Sequence, residues 1–360
     1  MDHILPRVVR STKISLLDWF SGYNQILVHP DDQDKTAFTT PWGTFKYVKM
    51  PFGLKNAGST YQRAINHILH PHQAYASAYI DDTIVYSSEW DRHMDELEQV
   101  LASYREAGMT LKLRKCDFAK PRVEFVGHLV GSGQIAVIHN KTEAISRISE
   151  PTTKSLLRSF LGMATYYRAF IKNYSQVVVP LTELTKSKHS NKIVFNAEQQ
   201  AAFNKIKTLL CSAEALHAPD YSLPFEVHTD ASNYAIGATL CQRGGNGEEK
   251  PIGFFSAKLN ETQQRWSTIE KEAYSVIAAL NHFDVIVFGR EIKLFTDHNP
   301  LTFLVQCVPR SAKLCRWGLA LQRYNITVVH RSGQSNANAD CLSRMDYLDS
   351  PCGTGVSKEG

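Results

Sequence analysis

Residues 79–82 read Tyr-Ile-Asp-Asp, and short β-prone runs at 76–78 and 84–86 stand on both sides of this acidic pair. Two such runs around adjacent aspartates predict a β-hairpin with the carboxylates at its tight bend. Neighbouring carboxylates repel each other, so a bend that exposes both calls for a positively charged partner, usually a divalent metal ion. The alternative interpretation is a surface Asp-Asp turn without a function.

A third carboxylate stands upstream, at the end of another predicted strand. In residues 13–20 the side chain of Asp18 shares one face with apolar residues, by the two-residue period of a strand. A carboxylate in that place is costly unless it has a task. Phosphoryl transfer with two magnesium ions needs carboxylates that bridge cations about 3.5–4 Å apart. Asp18, Asp81 and Asp82 are therefore the first candidate metal site.

Composition limits the class of protein. The 360 residues are 43% hydrophobic and 21% charged, which is typical of a globular chain with two or three domains. The net charge of +5 permits a nucleic-acid partner without requiring one. The seven cysteines form no C-x-x-C pair, which indicates reduced thiols in an intracellular protein rather than a zinc module or a disulfide scaffold. The sequence shows no signal peptide. None of its apolar runs approaches the length of about 20 residues that a membrane-spanning helix needs.

Local patterns predict further elements in the N-terminal half. They are a hairpin around Trp42-Gly43, a helix over 59–69, a helix from an N-cap at Ser88 to Gly108, a strand over 125–129, and a helix from Thr153 to about Ile171. After Pro219 the pattern changes. Strands are predicted there at 223–230, 235–242, 251–257, 291–297 and 326–330, with helices at 267–283 and 312–324. This order predicts a mixed α/β domain.

Four acids of this C-terminal domain form the second candidate site, namely Asp230, Glu272, Asp297 and Asp340. Acids at the ends of two strands and on two helices are a sensible way to build another two-metal site. Helical periodicity does not separate Glu270 from Glu272. Residues 267–270 read as a capping box, which gives Glu270 a structural task and leaves Glu272 for the metal.

Several motifs resemble those of reverse transcriptases, in the order in which that family carries them. Residues 17–26 resemble the first catalytic motif, 35–38 and 50–57 with 61–62 the nucleotide-side motif, and 79–82 the catalytic hairpin. Residues 160–162 and 166–171 are similar to the thumb segment of gypsy-class LTR retrotransposons. The segments around Asp230, Glu272, Asp297 and Asp340 resemble the ribonuclease H domain of the same elements, and this resemblance also selects Glu272.

The resemblance implies a multidomain fold of α+β and α/β parts. A reverse transcriptase palm with a remnant of the fingers, and then a thumb, precede a ribonuclease H-like domain with a mixed sheet. The expected segments are the palm with partial fingers at 1–130, the thumb at 131–186, a connection at 187–222, ribonuclease H at 223–345 and a disordered tail at 346–360.

The resemblance also implies residue roles. Two Mg²⁺ (or Mn²⁺) ions would be held at each active site, by Asp18, Asp81 and Asp82 at one and by Asp230, Glu272, Asp297 and Asp340 at the other. Tyr23 would be the gate that disfavours a 2′-hydroxyl, although an anonymous strand would favour a half-buried core tyrosine. Phe52 and Gln62 would lie near the incoming nucleotide and template. Phe125, Gly127 and His128 would belong to the primer grip.

His330 lies ten residues before Asp340, after an apolar strand. In ribonucleases H of retroviruses, a histidine at this spacing assists product release or proton transfer. A histidine at a strand end is more often structural. Both interpretations stay open from the sequence.

The function expected from the resemblance is RNA-directed DNA synthesis together with cleavage of the RNA strand of RNA–DNA hybrids. The partners would be an RNA template, a DNA primer, the hybrid and dNTPs, with no membrane, in a cytoplasmic particle or the nucleus. The chain begins close to the first catalytic strand, so most of the fingers are expected to be missing. Two alternatives follow, a ribonuclease H whose polymerase is disabled and a non-catalytic nucleic-acid-binding relic.

Overall fold

The structure is a computed structural model that describes residues 4–296 and 312–330. Internal contacts divide this part of the chain into two compact units. The first contains residues 4–149 and 207–219, and the second contains residues 150–206 together with the described residues from 220 onward. Each unit has its own buried apolar cluster or clusters.

The first 149 residues carry five helices and nine strands among those described. They are α1 (Leu5–Val8), β1 (Lys13–Asp18), α2 (Pro30–Gln33), β2 (Phe38–Thr40), β3 (Gly43–Phe45), α3 (Ala57–Ile68), β4 (Ala76–Tyr79), β5 (Asp82–Ser87), α4 (Trp90–Glu106), β6 (Asp117–Lys120), β7 (Arg122–Phe125), β8 (His128–Gly131), β9 (Gln134–Val137) and α5 (His139–Ser146). Short 3₁₀ helices cover Gly22–Gln25, Asp34–Thr36, His70–His72, Leu113–Lys115 and Arg168–Phe170.

The rest of the described chain continues with helices and then with a large sheet. Its elements are α6 (Lys154–Tyr166), α7 (Tyr174–Val177), α8 (Val179–Leu184), α9 (Ala197–Cys211), β10 (Leu216–His217), β11 (Phe225–Ala231), β12 (Ala235–Arg243), β13 (Glu249–Lys258), α10 (Glu261–Gln264), α11 (Thr268–Val287), β14 (Glu291–Thr296), α12 (Ala312–Leu321) and β15 (Asn325–His330).

The central sheet of the first unit has the strand order β4-β5-β1-β6. Strands β1 and β5 pair antiparallel, and alternate residues of β1 such as Leu17 turn into the core. Behind the sheet, the indole N–H of Trp19 donates to the Thr83 hydroxyl at 3.2 Å, and Thr83 shares a 2.9 Å hydrogen bond with Tyr104 of α4. This buried polar chain fixes α4 against the two central strands.

A second sheet of the first unit has the order β10-β9-β8-β7. The predicted strand over 125–129 is wrong, because the chain reverses in the middle of it. Phe125 ends β7 and pairs with His128, the first residue of β8. Val126 and Gly127 between them have φ of 43° and 76°, so they form the two-residue bend of a hairpin.

Two other helix boundaries differ from the sequence prediction. The helix predicted from Ser88 begins at Trp90, and its N-cap residue Glu89 makes no side-chain cap hydrogen bond, so the Ser88 cap is wrong. The helix predicted from Thr153 does begin there, since the Thr153 hydroxyl accepts from the Leu156 N–H at 3.3 Å. It ends at Tyr166 instead of Ile171, because the chain tightens into a 3₁₀ turn.

The other predicted elements listed above are confirmed, with shifts of a few residues at their ends. The β2–β3 hairpin turns at Pro41-Trp42, one residue before the predicted position, and Gly43 begins β3. Helix α3 covers most of 59–69, and Gly108, with φ of 70°, follows the end of α4.

The sheet of the second unit has the order β13-β12-β11-β14-β15. Strands β11, β12 and β13 pair antiparallel, whereas β14 runs parallel to both β11 and β15. This mixed sheet confirms the predicted α/β domain. Apolar residues of β11 and β14, such as Val227 and Leu294, pack with Val276 and Leu280 of α11 in one buried cluster. No helix among the described residues is both long and apolar enough to cross a membrane.

The pH dependence of the first unit tests the packing of α4. His93 is buried, its two ring nitrogens lie 2.8 Å from the Ser15 hydroxyl and 3.1 Å from the Ser87 hydroxyl, and burial lowers its pKa below 6.5. A lowered histidine pKa means that protonation favours the unfolded chain. We expect the free energy of unfolding to fall as the pH drops from 7 towards 5, measured by urea denaturation at each pH.

The matched variant is His93→Asn. It should be less stable at pH 7, because hydrogen bonds are lost, yet its stability should depend less on pH between 7 and 5. His72 and His128, whose pKa values burial also lowers, and Asp81 and Asp82, whose pKa values are raised, are the same in both proteins, so the difference between the two profiles comes from His93. Parallel profiles for the two proteins would contradict a buried neutral His93.

Candidate functional site

The predicted acidic hairpin forms, but its bend is Ile80-Asp81, so Asp81 lies in the bend and Asp82 already belongs to β5. Tyr79 ends β4 and pairs with Asp82, the first residue of β5. Ile80 has φ of 52°, a left-handed conformation that is rare and costly for a β-branched residue. Strained backbone of this kind is found where surrounding structure holds it and often at functional sites.

Pairing of β1 with β5 brings the third carboxylate to the hairpin. Asp18 lies directly opposite Asp82 in the antiparallel register, and Asp81 immediately precedes Asp82 in the sequence. Residues opposite each other in such a pair have Cα atoms about 4.5–5.5 Å apart and side chains on the same face. The three aspartates that the sequence placed in one candidate site therefore meet.

Electrostatics at this site favours a cation. Burial raises the pKa of Asp82, and the charges of Asp18 and Asp81 raise it further. Burial and the charge of Asp18 raise the pKa of Asp81 in the same way. The ammonium of Lys115 lies 3.7 Å from Asp18 Oδ2 and only partly offsets the repulsion. Three carboxylates against one lysine leave a negative site whose oxygen donors fit a divalent ion.

Gln62 holds the hairpin from the side of α3. Its amide nitrogen donates to the carbonyl of Ala78 at 3.1 Å, and its amide oxygen accepts from the N–H of Ile80 at 2.6 Å. The sequence places Gln62 near the nucleotide and template. The structure places its polar atoms on the backbone of the strained bend, which gives this side chain a positioning task.

The predicted gate residue Tyr23 lies in an aromatic group beside the aspartates. Its ring is 5.2 Å from that of Phe52 and 5.2 Å from that of Tyr61, both in edge-to-face geometry. Tyr23 is half-buried, and burial and the charge of Asp81 raise its pKa. Phe52 is exposed at 66%. The two rings predicted near the nucleotide therefore lie together and close to Asp81.

Tyr61 belongs to the nucleotide-side motif of the sequence, but the sequence predicts no role for its hydroxyl. Its side chain is fully buried, and its hydroxyl has no hydrogen-bond partner. A Cβ placed on Gly22 would lie 2.6 Å from this hydroxyl and 3.1 Å from Asp81 Oδ1. Gly22 thus leaves the space into which the hydroxyl points, beside a candidate metal ligand. The sequence signals are the place of Tyr61 in that motif and the glycine next to Tyr23.

The predicted primer-grip residues lie at the β7–β8 bend. Phe125 is fully buried and His128 is 5% exposed, with its Nδ1 3.0 Å from the carbonyl of Val126. Gly127 is at the bend itself. Phe125 and His128 therefore support the hairpin from inside, and the turn between them is the part that a ligand can reach.

The second candidate site is only partly within the described residues. Asp230 lies on β11 opposite Gly237, and Glu272 is buried on α11, which packs against β11. Asp297 and Asp340 lie outside the described residues. His330 ends β15 opposite Thr296, and its side chain is not described.

The structure bears on whether Glu270 or Glu272 of α11 is the better candidate metal ligand. The predicted capping box is confirmed, since the Ser267 backbone N–H donates to Glu270 at 3.0 Å and the Glu270 N–H donates to the Ser267 hydroxyl. Glu270 also pairs with Lys313 at 3.2 Å. Glu270 is thus occupied with structural contacts, whereas Glu272 lies on the buried side of the helix.

Lys172 is a second residue that sequence reasoning missed. It precedes Asn173, and a Cβ placed on Gly237, the partner of Asp230, would lie 2.1 Å from the Asn173 side-chain oxygen. Burial lowers the pKa of Lys172, while the charges of Asp230 and Glu249 act in the opposite direction. The sequence separation of about 60 residues hides this proximity.

Two segments of the chain match known protein families. Residues 2–130 match the family described as reverse transcriptase (RNA-dependent DNA polymerase), and residues 195–294 match the family described as RNase H-like domain found in reverse transcriptase. The chain is 41% identical over 340 residues to the retrovirus-related Pol polyprotein from transposon opus of Drosophila melanogaster, covering 91% of this chain. The chain belongs to the reverse transcriptase and ribonuclease H region of gypsy-class Pol polyproteins.

Other relatives place the chain within that region. The Pol polyprotein from transposon gypsy of D. melanogaster is 35% identical over 95% of this chain, and the transposon Tf2-3 polyprotein of Schizosaccharomyces pombe is 31% identical over 96%. This Pol region spans 34% of the opus and gypsy polyproteins and 26% of Tf2-3. It therefore corresponds to about a third or less of these relatives.

Solved structures share the fold of this Pol region. A foamy viral protease-reverse transcriptase in complex with double-stranded DNA matches with a TM-score of 0.77 at 24% identity, over 92% of this chain and 70% of that one. The foamy viral protein in complex with an RNA/DNA hybrid matches with a TM-score of 0.72 at 21% identity, over 99% and 48%. These matches confirm a reverse transcriptase fold followed by a ribonuclease H-like domain.

Tyr61 and Tyr104 offer a matched test of the unpaired hydroxyl. Both side chains are buried in the same apolar cluster, but only the Tyr104 hydroxyl has a partner, Thr83. Removing a buried hydroxyl without a hydrogen-bond partner removes the free-energy cost of keeping it away from water. Removing a paired hydroxyl leaves its buried partner without a hydrogen bond and lowers stability. Tyr61→Phe should raise the free energy of unfolding by about 1 kcal/mol, and Tyr104→Phe should lower it by about 1–2 kcal/mol.

Denaturation with urea at pH 7 measures both changes. Destabilisation by Tyr61→Phe would show that its hydroxyl has a partner in solution.

Proposed function

We propose that this chain is an RNA-directed DNA polymerase with ribonuclease H activity, using two Mg²⁺ (or Mn²⁺) ions at each site. The observation that carries the polymerase half is the register that sets Asp18 opposite Asp82 and beside Asp81. The proposal gives these three residues the catalytic metal ions. Both families that match the chain generally use divalent metals. Burial, and after it the charge of the neighbouring carboxylates, raises the pKa values of Asp81 and Asp82, and a bound cation would offset both effects.

The chemistry of the first site is transfer of a nucleotide to a primer end. Divalent ions at such a site activate the attacking hydroxyl and neutralise charge on the phosphates. Asp18 and Asp82 would hold the ions from two paired strands, and Asp81 would add a third carboxylate from the bend. Gln62 keeps the bend in its strained shape. Lys115, whose ammonium lies 3.7 Å from Asp18 Oδ2, would give up this ion pair to a bound cation.

Selection of the nucleotide is assigned to the aromatic group. Tyr23 would pack against the sugar and disfavour a 2′-hydroxyl, because its ring is fixed by Tyr61 and Phe52 on two sides. Phe52 is exposed and would contact the incoming nucleotide. The bend at Gly127, supported by Phe125 and His128, would carry the primer grip.

The second site is assigned to cleavage of the RNA strand in an RNA–DNA hybrid. Asp230 and Glu272 would hold the ions from β11 and α11, together with Asp297 and Asp340. His330 would assist proton transfer or product release. Recognition of a hybrid through backbone shape and 2′-hydroxyls needs little base readout. The foamy viral structure with an RNA/DNA hybrid supports this class of partner.

The domain limits expected from the sequence stay a proposal. They are palm with partial fingers at 1–130, thumb at 131–186, connection at 187–222, ribonuclease H at 223–345 and a tail at 346–360. The proposed partners are RNA template, DNA primer, hybrid and dNTPs, in a cytoplasmic particle or the nucleus.

A crossed pair of variants tests the two activities separately. Purified protein receives a primed RNA template with dNTPs, and separately a labelled RNA–DNA hybrid, each with Mg²⁺. Asp82→Asn should lower primer extension by roughly a hundredfold or more and leave hybrid cleavage unchanged. Asp230→Asn should lower hybrid cleavage to a similar degree and leave primer extension unchanged. Each substitution removes a proposed metal ligand from one site only.

The outcomes separate the proposal from its alternatives. The unaltered protein could cleave the hybrid but fail to extend the primer, and Asp230→Asn could abolish that cleavage. This result would identify a ribonuclease H whose polymerase is disabled. Absence of both activities in a folded protein would overturn both enzyme assignments and support a nucleic-acid-binding relic.

A further inference from the structure

A buried cluster of three different metal-binding side chains lies on the sheet of the second unit, apart from the residues that the proposed function uses. Glu226 and His228 share one face of β11, and Cys241 of β12 lies directly opposite Glu226. One donor atom from each, a carboxylate oxygen, an imidazole nitrogen and the thiol sulfur, all lie within 4.8 Å of one another. Glu226 is 5% exposed and Cys241 is 2% exposed.

One of the two carboxylate oxygens of Glu226 accepts a hydrogen bond, and the other does not. Oε1 accepts from the guanidinium of Arg243 at 2.9 Å, whereas Oε2 is buried without a hydrogen-bond partner. Oε2 lies 3.6 Å from His228 Nε2, too far for a hydrogen bond. A buried carboxylate oxygen with no donor costs free energy, and such an atom calls for an explanation.

The separation of 3.6 Å fits a shared metal ion. Oxygen and nitrogen ligands at about 2.0–2.2 Å from a tetrahedral zinc ion lie about 3.3–3.6 Å apart. The sulfur would have to approach by about an ångström to complete the third bond of about 2.3 Å. Arg243 on Oε1 is the kind of outer contact that orients a ligating carboxylate.

We propose that Glu226, His228 and Cys241 bind one zinc ion, with a fourth position open to water. The mixture of thiolate, imidazole and carboxylate is typical of zinc rather than of magnesium, which prefers oxygen ligands alone. The thiol proton passes to the solvent as the sulfur–zinc bond forms. The site is distinct from the proposed magnesium site at Asp230, and the inference does not depend on either proposed activity.

One neighbouring cation competes for the cluster. Lys172 interacts electrostatically with Cys241 as well as with Asp230 and Glu249. A positive charge beside the ligands opposes metal binding. The variant Lys172→Met should therefore bind zinc more tightly than the unaltered protein.

Zinc binding to the full chain tests the proposal. The reduced protein is freed of metal with a chelator and titrated with Zn²⁺ against a chromogenic competitor, in the presence of Mg²⁺. Cys241→Ser and His228→Asn should each bind one equivalent fewer than the unaltered protein. Cys211→Ser, which removes an exposed thiol of the first unit, should bind as the unaltered protein does.

Cobalt gives a second readout that does not depend on stoichiometry. Co²⁺ bound at the cluster should show thiolate charge-transfer absorption that is lost in Cys241→Ser and kept in both Cys211→Ser and Asp230→Asn. Circular dichroism confirms that each variant is folded, and Cys241→Ala replaces Cys241→Ser if the serine variant is not. Zinc binding that is equal in the Cys241 and Cys211 variants, or weaker than that of Mg²⁺, overturns the proposal.

Discussion

The first candidate site depends on the pairing register of two strands, β1 and β5. Asp18 reaches Asp82 because these residues are opposite each other, and a slip of one residue would turn one carboxylate to the other face of the sheet. The next pair in the register, Leu17 with Thr83, puts an apolar side chain and a buried hydroxyl at the centre of the sheet. The hydrogen bonds of Thr83 to Trp19 and Tyr104 hold that register from behind.

This register concentrates negative charge and strain in one place, and other contacts offset the cost. The repelling carboxylates and the left-handed Ile80 are unfavourable in the protein alone. Gln62 compensates on one side with two hydrogen bonds to the bend. The buried contacts of His93 with Ser15 and Ser87 tie α4 to the same two strands on the other side. A cation bound at this site would offset the repulsion between the carboxylates.

Sequence reasoning reached the parts of this arrangement that local pattern determines. The two-residue period of a strand placed Asp18 on β1. The acidic pair between two β-prone runs predicted the hairpin, and the pattern of residues 267–270 predicted the capping box with Glu270. Sequence reasoning failed where contacts between distant residues decide. Ser88 is a good cap by type, but the helix begins at Trp90, and the bend at Val126-Gly127 interrupts a run that local pattern makes continuous.

The residues that sequence reasoning missed share the same cause. Lys115 meets Asp18, and Lys172 meets Asp230, only because strands and loops far apart in the chain are folded together. The cysteine spacing argued against a zinc module. Cys241 nevertheless comes within reach of Glu226 and His228 through strand pairing, which leaves no mark in the spacing.

Thermal unfolding with and without Mg²⁺ tests the central claim that Asp18, Asp81 and Asp82 form a cation site. Raised carboxyl pKa values in the folded protein mean that ionised Asp82 costs stability at pH 7. In an Asp230→Asn background and a chelator, adding Asp82→Asn should therefore raise the melting temperature of the first unit. Mg²⁺ should raise it only when Asp82 is intact. An equal Mg²⁺ shift in both proteins, or a less stable Asp82 variant in chelator, would contradict the account.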